Sequence, residues 1–447
     1  MVAEQLSLEN LAQGGKLDRR AEFKNSPVWW EAAPPCTEIR RQPASVDVAI
    51  VGSGFTGLSA ALTLLRHGRT VAVFDRDAPG FGASTRNGGQ IGSGNQKFRV
   101  KRLIELHGEA KATALLKEGV AMLDYIAHLV ESEGIDCRFQ RSGRFRGAMR
   151  PEHYEAMARD MEDLRRVVGV EAFAVPRSEQ HKEIGSELFH GGSVLPGDAG
   201  LHPGLYHRGL MQRVEQLGGS VIGMTPVAAI VPEGDGFNLE TSQGPVRARD
   251  VIVATNGYTR HLDRYFDRRM VPVGSAVIAT EPLPEALLDE LLPTRRMYGN
   301  TNRAFSYFRH LPGENRIVWG GRMAHLVDQT SPLAYSHLAK DLLRTFPKLA
   351  PFKVTHGWSG QIGYTFDELP HLGKTSAGIH FAMGYCGTGV SRSTYFGHKI
   401  ALQILCDAEG RTAFDDISFP SHPFQFVAPQ MVPAFETWYR LRDATGF

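Results

Sequence analysis

The chain is poor in cysteine, with four among 447 residues, and no two of them form a C-x-x-C pair. This scarcity excludes a disulfide framework and a zinc ribbon, and it is typical of reduced thiols in a cytoplasmic protein. There is also no H-E-x-x-H motif and no cluster of cysteine and histidine. The sequence therefore predicts no metal centre.

Long apolar runs and an excess of one charge are missing as well. No uninterrupted apolar stretch is long enough to cross a bilayer, and the first 25 residues lack the apolar region of a secretory signal. The net charge of +2 is close to neutral and predicts no basic surface for binding nucleic acid. We therefore expect a soluble, cytoplasmic protein without a nucleic-acid partner or a membrane span, and the length predicts two interlocked domains.

The most informative feature that is present is a complete βαβ pattern. The apolar run Val48–Val51 enters Gly52-x-Gly54-x-x-Gly57, a helical segment follows, and a second run, Val71–Phe74, ends on Asp75. The three glycines allow a tight turn, close approach of a pyrophosphate and close packing of helix on strand. The helix N-terminus, with Phe55 and Thr56, favours phosphate, and Asp75 is placed to bind a ribose. The pattern predicts a dinucleotide site.

The stretch after Asp75 bears on which dinucleotide is bound. Arg76 leaves open an NADP site, since an arginine there could meet a 2′-phosphate, although Asp75 argues against it. A glycine-rich run follows, with the sequence Gly80-Phe81-Gly82-Ala83-Ser84-Thr85-Arg86-Asn87-Gly88-Gly89-Gln90. No compact substrate domain of a nicotinamide dehydrogenase is marked after it.

Two later segments also have a strand-like run that ends in a turn of small residues. Strand-like residues 250–253 end in the small turn Ala254-Thr255-Asn256-Gly257-Tyr258, and Ile379–Met383 leads through Gly384-Tyr385-Cys386-Gly387-Thr388-Gly389 into a helix that reaches about Cys406. The dinucleotide domain is therefore predicted to consist of separated pieces. Between them, apolar spacing predicts helices over 105–133, from Pro151 onward and over 332–346. The first 25 residues are expected to form a loosely docked arm, and Trp29 and Trp30 either pack on the domain or line the site entrance.

Taken together, these motifs resemble the D-amino-acid-oxidase-like FAD oxidoreductases, and among them most closely the enzymes that oxidise gamma-glutamylputrescine. The resemblance runs from Trp29 onward and is also carried by His202-Pro203, Ala279-Thr280-Glu281-Pro282-Leu283, Tyr307-Phe308-Arg309, Gly320-Gly321-Arg322 and Tyr439-Arg440-Leu441-Arg442-Asp443. It implies an α/β fold in which a discontinuous Rossmann-like FAD-binding domain is interleaved with an antiparallel-sheet α+β substrate domain.

The implied domain bounds are an N-terminal arm 1–39, an FAD domain of 40–98, 198–270 and 354–415, a substrate domain of 99–197 and 271–353, and a segment 416–447 packing on the FAD domain. The cofactor implied is FAD. Its expected contacts are Gly52, Gly54, Phe55, Thr56, Gly57, Asp75, Arg76, Gly82, Ala83, Ser84, Arg86, Asn87, Gly88, Gly89, Gln90, Val227, Ala254, Thr255, Asn256, Gly257, Gly360, Gly387, Thr388, Gly389 and Val390.

The resemblance also implies a reaction. A hydride passes from the amine-bearing carbon to flavin N5, the imine is hydrolysed, and O2 is the expected acceptor, giving H2O2. The leading substrate is gamma-glutamylputrescine or a related amine. The substrate-side residues expected from the resemblance and from their chemistry are Tyr307, Arg309, Arg322, Tyr385 and Glu368, the arginines as carboxylate clamps and the glutamate as an attractor of a cationic amine.

Two departures from the family pattern leave alternatives open. The last turn usually reads Gly-x-Ser-Gly-His-Gly, whereas this chain has Cys386 and Thr388, and Val318 and Trp319 stand where sarcosine-oxidase-like relatives carry a lysine linked to oxygen reaction. The acceptor is therefore open between O2 and another molecule. Further alternatives are an oxidoreductase of a cyclic or N-alkyl amino acid such as pipecolate, a partner-dependent dehydrogenase subunit, and an NAD(P)H-fed reductase, for which a second complete nucleotide fingerprint is lacking. The oligomeric state is open.

Overall fold

The computed structural model describes residues 7–14, 23–93, 97–259, 262–323, 331–422 and 428–445. Its strands are β1 Ser45–Val51, β2 Val71–Phe74, β3 Gln90–Ile91, β4 Arg144–Gly147, β5 Phe173–Val175, β6 Gly192–Leu195, β7 Ala199–Gly200, β8 Ser220–Ile222, β9 Val227–Glu233, β10 Gly236–Thr241, β11 Gly244–Val253, β12 Val271–Thr280, β13 Met297–Asn300, β14 Tyr307–Leu311, β15 Arg316–Arg322, β16 Val354–Tyr364, β17 His371–Lys374 and β18 His380–Met383. The helices are α1 Leu8–Gln13, α2 Phe55–Arg66, α3 Val100–His107, α4 Glu109–Ser132, α5 Pro151–Val168, α6 Pro203–Gln216, α7 Arg264–Asp267, α8 Glu285–Leu291, α9 Ser336–Thr345, α10 Gly389–Ile404 and α11 Ala428–Thr445.

The first sheet has the order β17-β18-β11-β1-β2-β8, with the β9–β10 hairpin attached to β11. Strand β1 runs parallel to both β2 and β11, and Val51 lies opposite Phe74 on one side and Val253 on the other. Strand β18 is parallel to β11 in turn. The carboxyl ends of these strands therefore meet at one edge, where doubly wound folds bind their ligands.

The second sheet has the order β16-β12-β15-β14-β13-β4-β6-β5. Its pairs are antiparallel, except that β4 runs parallel to β13. Helix α9 covers one face, and its Leu338 and Leu342 pack with Trp319 and Phe308 in one core cluster. The expected fold of a discontinuous nucleotide domain interleaved with a largely antiparallel domain is confirmed.

Two of the expected domain bounds need correction. Strand β16 lies inside segment 354–415, yet its whole length pairs with β12, so it belongs to the second sheet. Helix α11 was expected on the FAD domain. Instead, the backbone N–H groups of Arg303 and Ala304 both donate to the Asp443 carboxylate at 3.0 Å, which ties this helix to the second domain.

The chain termini and one helix also differ from expectation. Leu8 and Leu11 are fully buried against α9, so residues 7–14 are docked rather than loose; the rest of the expected arm up to residue 22 lies outside the described residues. The helix predicted over 105–133 is two helices, because Gly108 has φ +79° and interrupts the turn between α3 and α4. No helix in the described ranges is long and apolar enough to cross a membrane.

Candidate functional site

The first glycine turn is built as the sequence predicts. Gly52 has φ +106°, which turns the chain from β1 into α2, and its N–H donates to the Phe74 carbonyl at the end of the neighbouring strand β2 at 2.8 Å. A Cβ at Gly57 would lie 2.0 Å from the Gly52 oxygen, so only glycine lets α2 approach the turn. A Cβ at Gly54 would lie 2.9 Å from the Ser84 hydroxyl. The turn therefore leaves α2 with its N-terminus open toward the adjoining cavity.

Asp75 ends β2 and its carboxylate is already ordered. One oxygen accepts from the Ser53 backbone N–H at 2.9 Å and from the Ser53 hydroxyl at 2.5 Å, while the other accepts from the Asp77 N–H at 3.0 Å. Arg76 is exposed and forms an ion pair with Asp77 at 3.1 Å. The cation that a 2′-phosphate would need is therefore paired with Asp77.

The second glycine-rich run forms a loop that is locked from within. The Asn87 side chain donates to the carbonyls of Ala83 and Ser84 at 3.0 and 2.9 Å and accepts from the Gly89 N–H at 2.8 Å. The Ser84 hydroxyl accepts from the Phe55 N–H at 3.0 Å, which joins the loop to the start of α2. Asn87 is thus an internal brace of the loop as well as a residue of the cavity wall.

The two tryptophans hold this loop from outside. The indole N–H of Trp29 donates to the Asn87 carbonyl at 2.9 Å, and that of Trp30 to the Thr85 hydroxyl at 2.9 Å. The Arg86 guanidinium carbon lies 4.7 Å from the Trp30 ring centroid and 4.4 Å from that of Phe81. Of the two interpretations left open by the sequence, packing is the one that fits, since neither tryptophan lies on the cavity wall.

The last glycine turn joins β18 to α10. The N–H of Gly384 donates to the Asn256 side chain at 2.9 Å, and the Cys386 N–H donates to the Gly363 carbonyl at 3.0 Å. Cys386 is buried, which raises the pKa of its thiol. No side chain caps the 16-residue helix α10, because the Thr388 hydroxyl donates backward to the Tyr385 carbonyl at 2.9 Å. A second helix N-terminus therefore faces the same space.

One cavity of about 720 Å³ connects these three loops with the face of the second sheet. This volume lies in the range of small-molecule and cofactor sites. The expected cofactor residues on its wall are Gly52, Gly54, Phe55, Thr56, Asp75, Arg76, Gly82, Ala83, Ser84, Arg86, Asn87, Gly88, Gln90, Val227, Ala254, Thr255, Asn256, Gly360, Gly387, Thr388, Gly389 and Val390. Three expected residues stand behind the wall and act through packing: Gly57, Gly89 and Gly257.

Tyr307 stands where the cofactor loops meet the second sheet. Its ring is wedged between two glycines, since a Cβ would lie 2.7 Å from the ring at Gly88 and 2.1 Å from it at Gly320. Its hydroxyl lies 3.4 Å from the Ser275 hydroxyl, and burial raises the pKa of Tyr307. The phenol therefore remains neutral, on the cavity wall, at the predicted junction of cofactor and substrate.

Arg309 is not a carboxylate clamp, contrary to the sequence-based expectation. The side chain is 1% exposed and lies off the cavity wall. One terminal nitrogen donates to the carbonyls of Gly89 and Leu201 at 2.8 and 3.0 Å, and Nε donates to the His310 carbonyl at 3.1 Å. Burial lowers the pKa of Arg309 to about 10. Its role is structural, because its hydrogen bonds connect β14 to the second glycine-rich loop.

The Tyr385 hydroxyl is likewise engaged within the protein. It lies 2.7 Å from the Thr56 hydroxyl and donates to the Ala382 carbonyl at 3.0 Å. Burial raises the pKa of this tyrosine. Tyr385 lies on the cavity wall, but its hydroxyl links the last turn to α2, so the structure gives it a positioning role.

The other two expected substrate residues meet a lysine that the sequence analysis did not single out. Lys97 lines the cavity and donates to the Tyr364 hydroxyl at 2.8 Å, and Arg322 donates to the same hydroxyl at 3.3 Å. Glu368 lies 3.8 Å from the Lys97 ammonium and is directed to it rather than to the cavity. Neither Glu368 nor Arg322 lies on the cavity wall. Glu368 contacts the wall residue Lys97 directly, and Arg322 is linked to Lys97 by the Tyr364 hydroxyl that both contact.

Val318 and Trp319 stand where sarcosine-oxidase-like relatives carry a lysine, and both are explained by packing. Val318 is buried with Trp29 and Trp358, and Trp319 stacks on Phe308 with ring centroids 4.3 Å apart. Neither side chain lies on the cavity wall. The part of β15 where relatives carry a lysine thus supplies only core residues here.

These features together fit a flavin dinucleotide. Two helix N-termini, at α2 and α10, present backbone N–H groups and positive ends to one space, and Asp75 lies at the end of the second parallel strand, where a ribose is bound. Glycine is required at positions 52, 54 and 88, because a Cβ at each of them would lie within 3 Å of another protein atom. Fold and site define a nucleotide-binding oxidoreductase of the interleaved two-domain class.

Comparison with known proteins gives the family. The profile described as FAD-dependent oxidoreductase (DAO) matches residues 47–403, so the chain belongs to this family, and its cofactor is FAD. Gamma-glutamylputrescine oxidoreductase of Escherichia coli K12 is 30% identical over 90% of this chain and 93% of that protein. A probable oxidoreductase OrdL of Haemophilus influenzae is 30% identical over 87% of this chain and 88% of that protein.

The solved structures agree on the fold. Glycine oxidase from Geobacillus kaustophilus superimposes with a TM-score of 0.72 at 21% identity, covering 85% of this chain and 99% of that chain. The chain is therefore an FAD-dependent oxidoreductase in sequence family and in architecture.

Proposed function

We propose that this enzyme oxidises a primary or secondary amine at the carbon next to nitrogen, with gamma-glutamylputrescine or a closely related amine as its substrate. The observation that carries the proposal is the single cavity that runs from the dinucleotide loops past Tyr307 along the second sheet. The Escherichia coli relative with that substrate in its name, similar over nearly the whole chain, supports the choice of amine.

The chemistry requires a neutral amine, and the cavity favours one. An alkylamine has a pKa of about 10.4, so deprotonation at pH 7 costs roughly 4–5 kcal/mol. The wall near the junction is aromatic, with Phe305, Tyr307 and Tyr258. An enclosed wall of this kind disfavours the ammonium form and lowers that cost. The neutral Tyr307 phenol lies beside Ser275. It can accept a hydrogen bond from the amine or donate one to it without adding charge.

FAD, when bound, supplies the hydride acceptor for this oxidation. The chain contributes orientation and electrostatics. The uncapped N-terminus of α10 favours negative charge along the wall formed by Gly387, Thr388 and Gly389. Hydrolysis of the imine product then gives an aldehyde and releases the nitrogen.

We propose O2 as the electron acceptor, with H2O2 as its product. Lys97 is the lysine on the cavity wall among the described residues, and it brings to the site the ammonium that Val318 and Trp319 of β15 lack. A partner-dependent dehydrogenase is the competing assignment, and the altered residues Cys386 and Thr388 are the feature that favours it.

The test is oxygen uptake by the purified holoenzyme with gamma-glutamylputrescine, putrescine, pipecolate and glycine at equal concentration. We expect gamma-glutamylputrescine to give the largest kcat/KM and H2O2 to appear in equal amount to the O2 consumed. Turnover that occurs only with an added dye or quinone would replace O2 by another acceptor. A preference for pipecolate would move the substrate to the cyclic amino acids.

A further inference from the structure

Beyond Tyr307 the cavity continues across the second sheet along one row of paired residues. Tyr307 on β14 pairs with Gly299 on β13, Gly299 pairs with Arg146 on β4, and Arg146 pairs with Ser193 on β6. Directly paired residues face the same side of a sheet. At about 4.8 Å between strands, Tyr307 and Arg146 stand roughly 10 Å apart.

No side chain projects from the sheet between Tyr307 and Arg146 in this row of paired residues. Gly299 has no side chain, and the closest atom to a Cβ placed there is the Ser306 oxygen at 3.4 Å. The Tyr307 ring leans the other way, over Gly320 on β15, where a Cβ would be 2.1 Å from the ring. The row therefore forms a groove, open along Gly299, with Tyr307 at one end and Arg146 at the other.

Arg146 is an exposed cation on the cavity wall that forms no ion pair within 4 Å among the described residues. Desolvation by the surrounding protein and the nearby Arg144 and Arg99 lower the pKa of Arg146 to about 10. Its Nε donates to the Asn300 carbonyl at 3.2 Å. Within the described ranges no carboxylate lies within 4 Å of Arg146, whereas its neighbour Arg144 is paired with Asp198 at 3.1 Å.

Asp160 on α5 supplies the opposite charge on the same wall. One of its oxygens accepts from the Val100 N–H at 3.0 Å. Its cationic neighbours are Arg99, which also lines the cavity, and Arg146, and among the described residues Asp160 forms no ion pair within 4 Å with Arg146. The cavity therefore presents a guanidinium and a carboxylate that are near one another and not joined. Apolar side chains complete this end: Leu116, Val120, Met157, Met161, Leu164 and Val168.

A ligand that satisfies both groups carries a carboxylate and an ammonium on one carbon. An arginine binds a carboxylate through two parallel hydrogen bonds, and a bound ligand that shields both charges from water must supply each with an opposite charge. We propose that Arg146 and Asp160 bind the α-carboxylate and the α-ammonium of an amino-acid head group at the end of the cavity away from FAD. On the proposed function, on which this inference rests, that head group is the glutamyl end of gamma-glutamylputrescine.

The length of the groove agrees with this placement. Eight bonds separate the oxidised carbon of gamma-glutamylputrescine from its glutamyl α-carbon, and an extended chain covers about 1.2 Å per bond, or about 10 Å. The reactive amine then lies at Tyr307 while the head group lies at Arg146 and Asp160. A cyclic amino acid, whose carboxylate is one carbon away from the reacting nitrogen, cannot reach both ends.

The first test compares two substrates that differ only in the head group. N-butyrylputrescine keeps the amine, the chain and the amide but lacks both α-substituents. In Arg146→Gln we expect KM for gamma-glutamylputrescine to rise by about 10- to 100-fold, the range for a hydrogen bond to a charged group, while kcat changes little. The loss with N-butyrylputrescine should be below about twofold. Arg141→Gln is the matched control, because Arg141 is exposed and paired with Asp124 at 2.8 Å, away from the cavity.

Equal losses with the two substrates, or an unchanged KM for gamma-glutamylputrescine, would overturn the head-group site. Flavin content and the thermal midpoint show whether the variant is folded, and Asp160→Asn, which keeps an acceptor for the Val100 N–H, provides a second variant with the same expected selectivity.

A second measurement separates this inference from the proposed function. N5-butyl-L-glutamine keeps the head group and lacks the terminal amine, so its binding to the holoenzyme can be measured by calorimetry without turnover. Binding by the wild type that weakens at least tenfold in Arg146→Gln supports the site even if the enzyme oxidises neither putrescine derivative. Oxidation of gamma-glutamylputrescine with equal binding of this probe by wild type and Arg146→Gln leaves the proposed function standing and removes the site.

Discussion

The hydroxyl groups of Tyr385 and Thr56 lie 2.7 Å apart, and this contact joins the last glycine turn to the helix that follows the first. The two residues are 329 positions apart in sequence. Because α10 begins four residues after Tyr385, the contact helps to set where the N-terminus of α10 stands relative to that of α2. It acts together with the packing of the two helices, since the Ser59 hydroxyl donates to the Thr394 carbonyl at 2.6 Å and a Cβ at Gly397 would lie 2.2 Å from the Thr56 carbonyl oxygen.

Tyr385→Phe should weaken this arrangement. The loss of two buried hydrogen bonds, with Thr56 and with the Ala382 carbonyl, is expected to lower the free energy of unfolding by about 1–3 kcal/mol. The dissociation constant of FAD should rise several-fold, because the N-terminus of α10 is less firmly placed. Both are measured with Thr56→Val and the double variant in a thermodynamic cycle. Strict additivity of the two single changes would show that the contact carries no energy.

Gly54→Val should abolish retention of FAD. The new side chain would meet the Ser84 hydroxyl, already 2.9 Å from a Cβ at this position, and would fill the approach to the start of α2. Gly197→Ala is the control, since a Cβ at Gly197 meets nothing within 4 Å. The ratio of flavin to protein absorbance after gel filtration reports the result. A yellow Gly54→Val protein would contradict the assignment of this turn.

Arg309→Met should destabilise the protein without a specific effect on substrate binding. It leaves the Leu201 carbonyl without the Arg309 donor and removes one of two donors from the Gly89 carbonyl, which still accepts from the Leu201 N–H at 2.9 Å, at a cost of about 2–4 kcal/mol in the free energy of unfolding. Urea unfolding measures this loss, and the KM of the remaining folded enzyme should stay within about twofold of the wild-type value. A large rise in KM with normal stability would restore Arg309 to the substrate site.

Stability should fall as the pH falls below about 6.5. Burial lowers the pKa of His202 to about 3, and its Nδ1 accepts from the Leu205 N–H at 3.1 Å at the start of α6. Because the unfolded chain binds a proton at about pH 6.5 and the native state does not, each such histidine removes up to 1.36 kcal/mol per pH unit between pH 6.5 and the folded-state pKa. His202→Asn keeps an acceptor and should flatten the pH dependence of the free energy of unfolding between pH 6 and 4. An unchanged slope in this variant would show that His202 does not contribute.

Much of the cofactor site could be predicted because glycine spacing reports backbone geometry directly. Gly52 makes the tight turn and Gly57 the close helix packing that their spacing predicts, and Asp75 directly follows the second strand as expected. The substrate side could not be predicted in the same way, since the sequence does not show which segments cover the face of a strand. Tyr307 and Arg309 share one face of β14, but the carbonyls of Gly89 and Leu201 cover Arg309 while Tyr307 reaches the cavity.

Arg146 had a signal in the sequence that could have identified it. Arg144 and Arg146 flank Phe145 in a short strand, and Phe145 is fully buried, so the alternation places both arginines on the opposite face. What the sequence could not supply is the register that brings Arg146 level with Gly299 and Tyr307. Lys97 had no comparable signal, since its partner Tyr364 lies 267 positions away.

The measurement that tests the central claim most directly is the visible spectrum of the anaerobic holoenzyme during titration with gamma-glutamylputrescine. Loss of the oxidised flavin absorption at one equivalent of substrate, with formation of one equivalent of aldehyde, is the predicted result. Flavin absorption that persists with gamma-glutamylputrescine and is lost with pipecolate or glycine would contradict the proposed substrate.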